Sequence, residues 1–141
     1  YSRRNIDAIN SAIDGLKGHD GQQLLLVGFS GGGVIASLLA AERSDIAGLI
    51  TVAANLDTDY WTSLQGVSPL IDSLNPVDFS AQLAGIPQVH FTGNRDTIVP
   101  TSVLESYISK VKLNPDHDRN SFFHAPQAVS HSPTAGCIHP V

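Results

Sequence analysis

At 141 residues, 42% of them hydrophobic, the chain has the length and apolar content of one ordinary domain with its own core. A formal net charge of −5, with eight Lys and Arg in no cluster, excludes a basic nucleic-acid surface. No apolar run approaches the ~20 residues that span a bilayer and no signal peptide is visible, while the single cysteine, Cys137, excludes an internal disulfide framework and fits a reducing, cytoplasmic compartment.

Residues 5–17 predict an amphipathic helix, with Ile6, Ile9, Ile13 and Leu16 on one face and Gly18-His19-Asp20-Gly21 ending it. Residues 24–27 form a short apolar run of the kind buried on both faces of a parallel sheet. Gly28-Phe29-Ser30-Gly31-Gly32 follows at once and fits G-x-S-x-G. Val34, Ile35, Leu38 and Leu39 then recur at helical spacing up to about Arg43. Strand, glycine-lined turn and helix in this order are the nucleophile-elbow arrangement, in which the backbone turns tightly and the serine hydroxyl stands clear of the sheet. A phosphate-binding turn is the bland alternative, but a P-loop wants a Lys-Ser or Lys-Thr pair and this turn has none.

Residues 46–54 predict a second strand, so helix and strand alternate as in an α/β fold with right-handed crossovers. Residues 55–85 show little periodicity and hold Tyr60, Trp61, Ser68-Pro69 and Asn75-Pro76; a stretch of this kind is expected to be functional or partly helical, and here it is a candidate lid or cap insertion. Residues 87–92 predict a third strand, Gly93-Asn94-Arg95-Asp96 a loop at its end, and Val103, Leu104, Tyr107, Ile108 and Val111 another helix. A polar turn, a fourth strand over 120–125 and an irregular tail over 126–141 complete one domain over 1–141.

A serine hydroxyl is a poor nucleophile at neutral pH and needs a positioned base, itself oriented by a carboxylate. In open α/β sheets such groups collect beyond the C-terminal ends of the strands. Ser30 follows the first predicted strand, Asp96 the third, and His131 lies after the fourth. The chain order Ser, Asp, His is that of one serine-hydrolase architecture among several.

The chain resembles the C-terminal two-thirds or so of an α/β-hydrolase superfamily protein. The resemblance is carried by GFSGG at 28–32, HFTGNRDTIVP at 90–100 and VSHS at 129–132, and residues 73–76 and 87–91 are similar to uncharacterised bacterial members. It implies a three-layer α/β/α sandwich with a mostly parallel sheet, lacking the strands that precede the elbow strand in that family. The chain is therefore expected to be a piece of a longer one, or to take those strands from another chain. Ser30 would then be the nucleophile, Asp96 the orienting acid, His131 the general base, and the Gly31 N–H half of the oxyanion hole. The elbow strand would lie at or near a sheet edge, where an apolar strand invites association. The second oxyanion donor would lie upstream, and losing one typically costs ~10²–10³ in turnover.

The implied function is cleavage of an ester, thioester or related acyl bond of a small molecule through an acyl-enzyme, with no cofactor and no metal. Phe29, Tyr60 and Trp61 are candidates to line the acyl pocket, the alternative for the last two being satellite core under a long loop. Asp57 is the rival acid, because it too follows a strand. His124, within a strand, and His139, near the end, are the rival bases. His19, His90 and His117 are dispersed, without metal-ligand spacing. Cys137 is a tail thiol rather than a nucleophile. The reading from another class is a non-catalytic module of the same fold that binds a partner or small ligand.

Overall fold

The computed structural model of the chain describes residues 1–112 and the strand at 120–125. Four strands, β1 (Leu24–Phe29), β2 (Ile46–Val52), β3 (Gln88–Gly93) and β4 (Asn120–Ala125), form one sheet in the order β1-β2-β3-β4. All three pairings are parallel. Parallel neighbours need crossovers, and helices supply them. Helix α2 (Gly31–Glu42) joins β1 to β2, while α3 (Thr58–Gln65), a 3₁₀ turn (Pro76–Phe79) and α4 (Ser80–Leu83) lie between β2 and β3, and α5 (Thr101–Val111) joins β3 to β4. Helix α1 (Arg3–Leu16) precedes the sheet and is capped by Ser2. No helix among the described residues is long and apolar enough to cross a membrane.

Alternation along the strands decides where the core sits. Leu26, Leu49, Thr51, Gln88 and His90 point to one face, and α2, α4 and α5 close over it with Leu38, Leu83, Leu104 and Tyr107. Helix α1 packs on the outside of α2 through Ile6, Ile9 and Ile13. The opposite face carries Leu25, Val27 and Phe29, which are 60%, 65% and 70% exposed. The described residues thus form a helical layer and a parallel sheet, two of the three expected layers. As expected, β1 is an edge strand.

Two boundaries differ from the sequence reading. Strand β1 runs on through Gly28 and Phe29, because both still pair with Thr51 and Val52. Strand β2 stops at Val52, since Ala53 turns to a φ of 46°. Residues 55–85 are also more regular than their composition suggests. Asp57 caps α3 by accepting the Tyr60 N–H at 3.2 Å, and Gly66 closes it at a left-handed φ of 64°. The helix has no apolar stripe because its buried positions are Thr58 and Thr62.

Candidate active site

Ser30 is the single residue between the end of β1 and the start of α2. Its φ of 50° and ψ of −127° lie outside the basins open to L-residues, a conformation held only when the surroundings over-determine it. They do so from both sides: the Ser30 N–H donates to the Val52 carbonyl at 2.9 Å, and the Ser30 carbonyl accepts the Gly33 N–H at 2.9 Å. A Cβ on Gly28 would stand 2.4 Å from the Gly32 oxygen, and one on Gly33 2.4 Å from the Ala54 Cβ. Helix α2 can therefore start directly over the strand only because both positions lack a side chain.

Gly31 is the first residue of α2, so its N–H has no intrahelical acceptor and stands at the positive end of the helix dipole. The ring of Tyr1 lies beside it, with its hydroxyl 3.3 Å from the Asn55 amide nitrogen.

At the end of β3 the chain folds over Asp96. The Asp96 N–H donates to the Gly93 carbonyl at 3.1 Å, and Asp96 Oδ1 accepts the N–H groups of Ile98 and Val99, both at 2.9 Å. No described residue bonds Oδ2. Helix α3 meets this loop: the Trp61 indole donates to the Ile98 carbonyl at 2.7 Å, and the Gln65 amide to the Thr97 and Ile98 carbonyls. A depression of about 490 Å³ opens beside Asp96, lined by Leu64, Gln65, Arg95 and Ser102 among others.

Ser30 and Asp96 both lie beyond the C-terminal ends of parallel strands, β1 and β3. The Ser30 N–H reaches the last residue of β2, and the Ala53 N–H in turn reaches the Phe91 carbonyl of β3 at 2.8 Å. Two strand spacings separate their chains, roughly 10 Å. Tyr60 lies on α3, next to the indole that is tied to the Asp96 loop. Phe29 instead points to the open face of the sheet, opposite the helical layer. His131, His139, His117 and Cys137 lie outside the described residues, and His124 falls in β4.

Asp57 is differently placed. It is fully buried, and its Oδ2 accepts the Ser106 hydroxyl and the Lys110 ammonium, both at 2.6 Å. Burial works to raise its pKa, but Lys110, Ser106 and the Tyr60 N–H together hold the carboxyl below its ordinary value. Both of its oxygens are engaged in fixing α3 and α5.

His90 is also committed to the interior. It accepts at Nδ1 from the Thr51 hydroxyl at 2.7 Å and donates from Nε2 to Gln88 Oε1 at 3.0 Å; Gln88 Nε2 donates to the Leu83 carbonyl, which fixes the amide and hence this tautomer. Desolvation lowers its pKa to about 4, so it is neutral at pH 7.

No protein-family model and no curated protein matches the chain. Solved structures do. The esterase domain of a Rhodothermus marinus protein superposes with a TM-score of 0.65 at 21% identity over 87% of this chain. An esterase of Pyrococcus furiosus superposes at 0.61 with 18% identity over 88%, and the α/β hydrolase GrgF from Penicillium sp. sh18 at 0.66 with 13% identity over 89%. The fold is that of the α/β-hydrolases. The chain spans 57%, 53% and 63% of those three proteins, so it shows part of the α/β-hydrolase fold. Identity at this level carries the fold and not the chemistry.

Several residues of this α/β-hydrolase-fold site are silent in the sequence. Gly33 falls outside G-x-S-x-G, yet it is one of the two glycines that the close approach requires. Gln65 carries no motif at all, and nothing in the 90–100 motif marks the Ile98 carbonyl as its acceptor. Ala53, at positive φ beside Ser30, gives no polar or glycine signal to find it by.

Proposed function

We propose that the protein is a serine hydrolase that cleaves a carboxylic ester, thioester or related acyl bond of a small molecule. Ser30 Oγ attacks the carbonyl carbon while His131 takes the hydroxyl proton. Asp96 holds the imidazole in the required tautomer, and the Gly31 N–H stabilises the oxyanion at the start of α2. Collapse of the tetrahedral intermediate breaks the bond to the alcohol or thiol, which leaves with the proton from His131. Water, activated by the same imidazole, then releases the acid and restores Ser30.

One observation carries this reading: Ser30 is held at a strained φ beside a helix-start N–H, at the end of the strands where no other described residue bonds the second carboxylate oxygen of Asp96. A residue serving only as a turn former at this φ would be better supplied by glycine than by serine. Three structural neighbours named as esterases or an α/β hydrolase support it. Labelling the full-length protein with a fluorophosphonate, with peptide mass spectrometry to locate the adduct and Ser30→Ala as control, tests it. An adduct at Ser30 is expected; none on the folded protein overturns the hydrolase reading and leaves a binding module of the same fold.

A further inference from the structure

Helix α3 is a fixed bar laid against the loop that carries Asp96. Its start is anchored by Asp57, which caps it and bonds Ser106 and Lys110 of α5, and by Asn75, whose Oδ1 accepts the Thr58 N–H at 3.1 Å. Trp61 and Gln65, four residues apart, project from one side of the helix. The Trp61 indole donates to the Ile98 carbonyl at 2.7 Å, and Gln65 Nε2 to the Thr97 and Ile98 carbonyls at 2.9 and 3.0 Å. Ile98 donates its own N–H to Asp96 Oδ1 at 2.9 Å. One residue is therefore gripped from both sides, by the helix at its carbonyl and by the carboxylate at its N–H.

We infer that Trp61 and Gln65 are positioning residues for Asp96, holding the Ile98 backbone so that Oδ1 stays with the loop's N–H groups and Oδ2 is left for the imidazole; the inference rests on the hydrolase reading above. Neither side chain touches substrate in this role. Their effect passes through a backbone that would otherwise be an exposed loop, where small displacements of an orienting group cost rate steeply. The indole N–H and the primary amide are donors only in this contact, so each can be removed while an aromatic ring, or a side chain of similar length, is kept.

The test compares Trp61→Phe, Gln65→Met and the double variant with Ser63→Ala, an exposed substitution on the same helix, all in the full-length protein. Two quantities are read: hydrogen exchange at the Ile98 and Val99 amides, and the pH profile of fluorophosphonate labelling at Ser30. Faster exchange at both amides is expected, with labelling slowed between about 10- and 100-fold. The labelling midpoint should also move to lower pH, because an imidazole that loses its carboxylate partner sheds its proton more readily. Ser63→Ala should change none of these. Unchanged exchange in the double variant overturns the clamp, whatever the labelling does. Faster exchange with an unmoved pH midpoint overturns the positioning role and leaves a structural one. Absence of labelling in the unsubstituted protein fails the hydrolase reading itself, and the positioning role falls with it.

Discussion

A Cβ placed on Gly28 would stand 2.5 Å from the Cα of Gly33. Strand β1 and helix α2 thus meet backbone to backbone, and that contact allows a single residue, Ser30, to make the whole turn. Gly28→Ala should destabilise the fold by about 2–3 kcal/mol, since the three atoms nearest its Cβ all belong to the main chain and cannot swing aside. Gly33→Ala should cost a similar amount against Ala54. Gly32→Ala should instead be neutral or gain up to about 1 kcal/mol, because nothing lies within 4 Å of its Cβ and alanine favours a helix. Thermal unfolding of the three variants checks the order; an equal loss at Gly32 would contradict the packing described.

Strain at Ser30 gives a second test. Glycine tolerates a φ of 50° where alanine does not, so Ser30→Gly should be more stable than Ser30→Ala by about 1 kcal/mol. Urea midpoints of the two variants would reveal it, and equal midpoints would mean that the turn carries no strain.

The two aspartates should separate cleanly. Asp96→Asn keeps an acceptor for Ile98 and Val99, so stability should hardly change while turnover falls by up to ~10⁴. Asp57→Asn should do the reverse, costing about 1–3 kcal/mol through a weakened cap and a lost partner for Lys110. The Asp57 contribution is present above the ordinary aspartate range and is lost as pH falls through its lowered value. Parallel measurements of turnover and unfolding on both variants decide which aspartate is the acid.

His90 sets an acid limit to the fold. Its pKa falls from an ordinary 6.5 to about 4 on folding, so the unfolded chain binds more protons between those values and stability declines as pH drops through that window. The loss should be on the order of 3 kcal/mol by pH 4. Urea unfolding at pH 7 and pH 4 measures it, and His90→Asn should flatten this part of the profile.

Leu25 and Val27 present an apolar row on an edge strand. The 141-residue chain should therefore associate in solution, and Leu25→Lys with Val27→Lys should reduce the association without unfolding the core, because both side chains already lie in water. Sedimentation velocity over a concentration series gives the answer; a monomer at all concentrations would show that this face needs no cover.

Local chemistry was enough for much of this protein. The apolar runs at 24–27 and 46–54, the helical spacing after Ser30 and the glycines around it determine the strand-turn-helix unit and the parallel sheet, because period and backbone freedom are properties of neighbours in sequence. Asp96 was legible for the same reason, as an aspartate just beyond a strand end. Helix α3 was not, since its buried side is made of threonines and its stability comes from a cap and from Asn75 and α5. Nor could spacing reveal that Trp61 reaches Ile98, or that Asp57 is consumed by Lys110, because partners 37 and 53 residues apart meet only through the packing of α3 and α5. The sequence by itself determined the four strands, helices α1, α2 and α5, and the order of the candidate catalytic groups. Tertiary structure decided which of the two aspartates has an oxygen that no other described residue bonds, because that depends on what each carboxylate finds across the fold.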